Sequence, residues 1–198
     1  MKRRIGIYGG TFNPPHIGHI QAAEAFVRSM NLDELLIMPT LIPPHKENET
    51  GVDSIDRLEM SRLAFKTVDK ACVSNLEIQR GGKSYTYLTL QELASPDAEL
   101  YFLCGTDMIL TMDAWKNPDI IFSLAKICYI RREADADKTA LIARKCSEYK
   151  ERFNAQIYSI ISDVIKISSS EIRSDVKASS RYLTKEVAEY IRKKGLYE

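Results

Sequence analysis

The sequence has almost no charge excess: lysine and arginine number 28 against 27 acids, a formal net charge of +1 at pH 7. Binding nucleic acid through bulk electrostatics takes a clear basic surplus, so no nucleic-acid partner is expected, and any nucleotide is expected in a local site. No apolar run approaches the roughly 18 residues that span a bilayer, which argues against a membrane partner. The N-terminus passes from MKRR straight into a strand-like segment, without a long apolar stretch or a small-residue cleavage site. The four cysteines, Cys72, Cys104, Cys128 and Cys146, are far apart and form no CxxC pair. Zinc and redox motifs therefore lose their usual support, and a reduced, cytoplasmic location is the expectation. Three of the cysteines lie in or beside apolar stretches, the ordinary setting of a buried free thiol. The GxGxxG dinucleotide fingerprint is missing, as are internal repeats, low-complexity tracts and linkers. Histidine is scarce too: there are three.

What remains is an ordinary globular composition, 44% apolar and 28% charged over 198 residues, enough for one domain with a substantial core. Strand and helix signals alternate along its whole length. RIGIYGG reads as a short buried strand ending at glycines, and IGHIQAAEAFVRSM as a helix with Ile17, Ile20, Ala23 and Val27 on one face. ELLIMP is a second strand, followed by a polar, proline-bearing loop over residues 40–53, a length that often marks a functional segment. Asp53 or Ser54 caps the next helix. ACVSNLEI reads as a strand, and a turn at GGK precedes a helix opening near Ser84 or Thr86. ELYFLCGTD is a buried strand that again ends in glycine. KNPDIIFSLA is helical, KICYIRR is a strand, residues 134–156 are helix-prone, and IYSIISDVIKI holds one or two short strands. Thr184 and Gly195 bracket the last helix. This alternation predicts a doubly wound, mostly parallel α/β sheet, whose ligands bind beyond the carboxyl ends of the strands.

The stretch GGTFNPPHIGH, residues 9–19, falls at that edge. Gly9 and Gly10 permit close approach of a ligand, or supply a turn with positive φ. The helix that follows offers an N-terminal phosphate site. With a helix start near Pro15, His16 and His19 share one side of the first turn, and Gly18 removes a side chain that would block a phosphate. Two imidazoles there can donate to phosphate oxygens that gain charge in a transition state. Taken singly, the parts fit a strand-to-helix turn with capping histidines. An HxxH metal site would need further ligands, and only His45 remains.

Taken whole, GGTFNPPHIGH resembles the signature of the nucleotidyltransferase superfamily that carries an HxGH motif, and ISSSEIR (167–173) resembles its second signature. PTLIPPHK (39–46), SYT (84–86), GTDMILTMDAW (105–115) and YIRKKGLY (190–197) narrow the resemblance to the bacterial nicotinate-nucleotide adenylyltransferases, over essentially the whole chain. That family joins nicotinate mononucleotide to the adenylyl group of ATP, releasing pyrophosphate. The resemblance implies a Rossmann-like nucleotidyltransferase fold in a single domain, 1–198, with residues 168–198 as its C-terminal helical part. It implies catalytic roles for His16, His19 and Arg173. ATP contacts are implied for Gly9, Gly10, Thr11, Phe12, Gly105, Asp107, Ser169 and Ser170. The mononucleotide would meet Asn13, His45, Lys46, Thr86 and Trp115, the chain's single tryptophan, with its ring stacked on the indole. Asn13 stands where many relatives have aspartate, and Asp107 suits either a ribose hydroxyl or a helix cap. The implied partners are ATP and nicotinate mononucleotide, with Mg2+ arriving on the triphosphate and few or no protein ligands of its own. A homo-oligomer is compatible with all of this.

Overall fold

The computed structural model describes residues 2–44, 52–131, 138–162 and 165–197. Six strands form one sheet: β1 (Arg3–Gly10), β2 (Glu34–Pro39), β3 (Ala71–Val73), β4 (Ala98–Cys104), β5 (Ala125–Arg131) and β6 (Ile157–Ile161). Their order is β3-β2-β1-β4-β5-β6, and every pairing is parallel. The chain winds outward from β1 in one direction and from β4 in the other, so the switch point lies between these two strands. A crevice opens at the carboxyl ends of strands at such a point.

Helices cover both faces. On one lie α1 (Ile17–Met30), α2 (Ser54–Phe65), α8 (Ser169–Ser174) and α9 (Lys185–Lys194), which bury Phe26, Phe65, Ile172 and Ile191 with Leu35, Ile37 and Leu103 of the sheet. On the other, α4 (Thr86–Leu93), α5 (Thr106–Ile109), α6 (Pro118–Leu124) and α7 (Thr139–Phe153) bury Leu90, Ile109, Phe122 and Tyr149 with Ile7, Phe102 and Ile127. Alternate residues of β4 enter opposite cores, Tyr101 and Leu103 one, Leu100, Phe102 and Cys104 the other. A strand covered on both faces has to be apolar throughout, hence the unbroken LYFLC run. Among the described residues no helix is long and apolar enough to cross a membrane.

The caps follow local chemistry. The Asp53 carboxylate accepts from the Asp56 N–H at 2.7 Å to open α2, the Thr184 hydroxyl accepts from Val187 to open α9, and Gly195 ends α9 at φ +60°. Cys104 and Cys128 are buried, Cys146 is half-buried and Cys72 exposed, all as free thiols. Burial pushes the Cys128 thiol up to about 12.

Two expectations are corrected. The ACVSNLEI strand stops at Val73, because the edge ladder ends where Ser74 donates to Ile37 O at 2.9 Å. The chain then turns into a short helix, α3 (Leu76–Arg80), that buries Glu77. GTDMILTMDAW carries α5 and a 3-10 turn, Met112–Ala114, neither of them expected. The doubly wound sheet is as expected, with every pairing parallel.

The packing of α1 against β1 rests on Gly6, where an added Cβ would strike Leu32 Cδ1 and stand 3.0 Å from the Phe26 ring. Gly6→Ala is expected to lower the unfolding free energy by about 1–3 kcal/mol, the usual penalty of overpacking. Urea denaturation checks it, and an unmoved midpoint would show that these side chains yield freely.

Candidate active site

The end of β1 turns on Phe12, not on the glycines. Gly9 and Gly10 belong to the strand, and the left-handed residue is Phe12, at φ +47°. That backbone is unfavourable for a side chain with a Cβ, and aromatic packing holds it. The ring lies 5.4 Å from Tyr8, 5.4 Å from Phe65 and 5.2 Å from His19, each edge-to-face. An added Cβ on Gly10 would come within 2.8 Å of the Phe12 ring. Gly10 thus makes room for a protein side chain folded back over the strand end.

The chain then passes a cis Asn13–Pro14 bond and enters α1, with His16 as the capping residue rather than Pro15 as the start. The His16 N–H donates to His19 Nδ1 at 3.2 Å, so a neutral His19 carries its proton on Nε2. The two rings stack with centroids 3.6 Å apart and planes 26° off parallel, which confirms their shared side. Gly18 also has a packing reason. Its Cβ would stand 2.9 Å from the Ile165 carbonyl and 3.2 Å from the His16 ring. The glycine admits the segment leading into α8, which is tied there as Ile165 N donates to Gln21 Oε1 at 2.9 Å.

That segment reaches back to the loop after β1. A reciprocal cap between Ser168 and Glu171 opens α8. From α8, Ser169 Oγ donates to Pro14 O at 2.9 Å and Arg173 Nη1 to Asn13 O at 2.8 Å, with Arg173 Nη2 on Ser170 Oγ at 3.1 Å. The Tyr197 hydroxyl donates to Asn13 Oδ1; burial pushes that hydroxyl well above the usual tyrosine range and keeps its proton in place.

Arg57 escaped the sequence reading. It is fully buried, and it donates to Thr11 O at 2.9 Å and to Leu41 O at 3.1 Å. Burial lowers its pKa, offset by Tyr197 and Asp53. The signal was a cation inside the buried stripe of α2, in register with Met60, Ser61 and Ala64. Leu41 is gripped on its other side as well, its N–H donating to Ser84 Oγ at 2.9 Å.

Across the groove, Gly105 caps α5, and a Cβ there would touch nothing within 4 Å. Asp107 is therefore not the cap; its exposed carboxylate pairs with Lys138 at 2.6 Å. Thr86 opens α4, and half-buried Trp115 stands edge-on to Phe102 at 6.2 Å. Below them lies a buried acid. Glu77 Oε1 accepts from Thr89 Oγ1 at 2.6 Å, and that hydroxyl accepts in turn from both Arg80 Nη atoms at 3.2 Å. Burial raises the Glu77 carboxyl above its ordinary value, against the pull of Thr89, Ser84 and Arg80.

Every described residue given a catalytic, ATP or mononucleotide role in the sequence analysis lines one groove of about 1220 Å³ at the switch point. His45 and Lys46 lie outside the described residues.

Residues 7–175 match the family described as cytidylyltransferase-like. The chain belongs to that family. Within it, the probable nicotinate-nucleotide adenylyltransferase of Desulfatibacillum aliphaticivorans is 35% identical over 214 residues, covering 98% of this chain and 99% of that protein. Its counterpart in Listeria monocytogenes serotype 4a, strain HCC23, is 32% identical, covering 100% and 98%. Among solved structures, the Plasmodium falciparum nicotinic acid mononucleotide adenylyltransferase complexed with NaAD superimposes with a TM-score of 0.78 at 21% identity, over 98% of this chain and 97% of that one. The same enzyme complexed with APC gives 0.76. At that identity the likeness shows the fold, the doubly wound nucleotidyltransferase sheet described above.

The buried acid gives the family member a pH signature. A carboxyl whose folded-state pKa is raised stabilises the fold fully below its unfolded value, near 4.5, and loses that contribution as pH rises through the raised value. Urea unfolding of the wild type and Glu77→Gln between about pH 4 and pH 8 is expected to show the variant gaining on the wild type as pH rises. Parallel curves would remove the acid from this account.

Proposed function

We propose that the protein transfers the adenylyl group of ATP to nicotinate mononucleotide, forming nicotinate adenine dinucleotide and pyrophosphate. The observation that carries this reading is the stacked His16–His19 pair, held in one groove with Arg173 and Trp115. The full-length relatives named for the same reaction support it.

A phosphate oxygen of the mononucleotide, already anionic near neutral pH, attacks the α-phosphorus of ATP. A new P–O bond forms there as the bond from the α-phosphorus to the bridging oxygen breaks, and the electron pair leaves on pyrophosphate. No protein nucleophile is required. The protein's part is to place two anions together and to meet the charge that grows on the non-bridging oxygens. The His19 tautomer set by the His16 N–H presents an Nε2–H donor for that task. His16 and the remaining N–H groups of Arg173 face the same phosphates, and Ser169 and Ser170 line the site beside them. Gly9, Gly10, Thr11 and Phe12 border the nucleotide, and the open space at Gly105 beside Asp107 suits its adenosine part. Trp115 and Thr86 receive the pyridine ring and Asn13 stands near the ribose and phosphate; His45 and Lys46, outside the described residues, are assigned to the mononucleotide phosphate on the sequence resemblance.

Magnesium belongs to the substrate in this reading. It would arrive on the phosphate oxygens of ATP and neutralise the triphosphate.

Pyrophosphate release from Mg–ATP, offered nicotinate mononucleotide, nicotinamide mononucleotide or phosphopantetheine separately, tests the reading. Fast release with the nicotinate substrate is expected, and release with phosphopantetheine alone would overturn it. His19→Ala is expected to lower kcat about a hundredfold, the loss of one donor to the transition state. Undiminished kcat in the folded variant would take His19 out of the chemistry.

A further inference from the structure

Of the segments that carry the resemblance, YIRKKGLY (190–197) has no part in the reaction as proposed, although it ends beside Asn13. Its own side chains set α9 against α2: the Tyr190 hydroxyl donates to Asp56 Oδ1 at 2.7 Å, and Lys194 Nζ pairs with the same oxygen at 3.4 Å. Past the helix, Gly195 at φ +60° and Tyr197 at φ +66° both take the left-handed backbone. For Tyr197 that conformation is unfavourable, and a strained residue persists only where its surroundings hold it. Its ring packs against the core that contains Phe12 and Ile172, and its hydroxyl donates to Asn13 Oδ1. Burial keeps that proton on the oxygen, against the pull of Arg173 and Arg57, so the hydroxyl stays a donor. Asn13 is itself buried, lines the groove and has its main-chain carbonyl taken by Arg173 at 2.8 Å.

A primary amide carries its acceptor oxygen and its N–H donors on opposite branches. A hydroxyl that donates to the oxygen therefore settles which way round the amide stands. Resting on the activity proposed above, we propose that Tyr197 is a positioning residue for the mononucleotide: its hydroxyl holds the oxygen of the Asn13 amide, so that Asn13 meets the ribose and phosphate as an N–H donor. Turned over, the amide would set its oxygen against phosphate oxygens, acceptor against acceptor, and would bring its N–H groups to a hydroxyl that is already a donor. Both partners are neutral, so the contact orients the amide without adding charge to the groove. Fixing it before the substrate arrives also lessens the freedom lost on binding.

The test is the steady-state kinetics of pyrophosphate release from Mg–ATP and nicotinate mononucleotide for the wild type, Tyr197→Phe, Asn13→Ala and the double variant, each shown to be folded by its urea midpoint. Tyr197→Phe keeps the ring and its packing and removes only the hydroxyl. It is expected to raise KM for the mononucleotide roughly fivefold, the worth of one oriented hydrogen bond, with kcat and KM for ATP little changed. In the Asn13→Ala background the same substitution should cost nothing more, because the amide it orients is gone. An undiminished loss in that background would mean that the hydroxyl acts elsewhere, and would overturn the assignment. Losses spread over kcat and both KM values would mark a general loosening of the turn, and would overturn it too, as would Tyr197→Phe kinetics equal to the wild type. If Asn13→Ala does not fold, the split between KM and kcat in Tyr197→Phe decides alone. Wild-type protein that does not adenylylate nicotinate mononucleotide overturns the activity itself, and the assignment with it.

Discussion

Three backbone carbonyls in the turn after β1 are each taken by a distant side chain: Thr11 by Arg57, Asn13 by Arg173 and Pro14 by Ser169. A turn that leaves a sheet to make a ligand edge gives up its ladder partners, and buried carbonyls without partners are costly. The two guanidinium groups and one hydroxyl meet that need. In doing so they fix Phe12 in its left-handed backbone, the stacked histidines behind it and the start of α8 beside it. Arg57 extends the arrangement to Leu41, and Ser84 continues it toward α4. The end of the groove at His16 and His19 and the end at Ser84 are thereby joined through the protein interior.

Much of this was legible in the sequence, because local chemistry dictated it. Apolar runs of strand length, the Asp53 and Thr184 caps and the glycine after the last helix each act within a few residues. The groove's lining was legible for a different reason. GGTFNPPHIGH and ISSSEIR resemble signatures whose residue types suit phosphate, and the doubly wound order brings strand ends and helix starts to one edge. What escaped depends on contacts that no local pattern carries. The purpose of Gly18 is set by a carbonyl at Ile165, that of Gly10 by a ring two residues on, and that of Arg57 by carbonyls on two separate loops. The strand expected to run on through LEI failed because an edge ladder has only one neighbour, and burying Glu77 beside Thr89 decided the local structure instead.

The groove is electrostatically divided. Its histidine end gathers Arg173 and two imidazoles. The other wall holds the exposed ammonium of Lys116 and, at Glu77, a carboxyl that burial biases toward its neutral form. A chain with a net charge of +1 can thus present a cationic path for anionic substrates without a basic surface, by burying or pairing the acids that line it.

The stitches around Asn13 also bear on how the molecule assembles. The Arg173 bond to Asn13 spans 160 residues of sequence, the Ser169 bond to Pro14 spans 155, and the Tyr197 bond to Asn13 spans 184. Long loops must close before any of these contacts forms, and loop-closure entropy opposes them until the intervening sheet has drawn the two regions together. The contacts of the β1–α1–β2 unit close short loops, whereas those that shape this edge of the groove close the longest. During synthesis, a nascent chain that has exposed its histidine motif still lacks the arginine and tyrosine that hold it in shape.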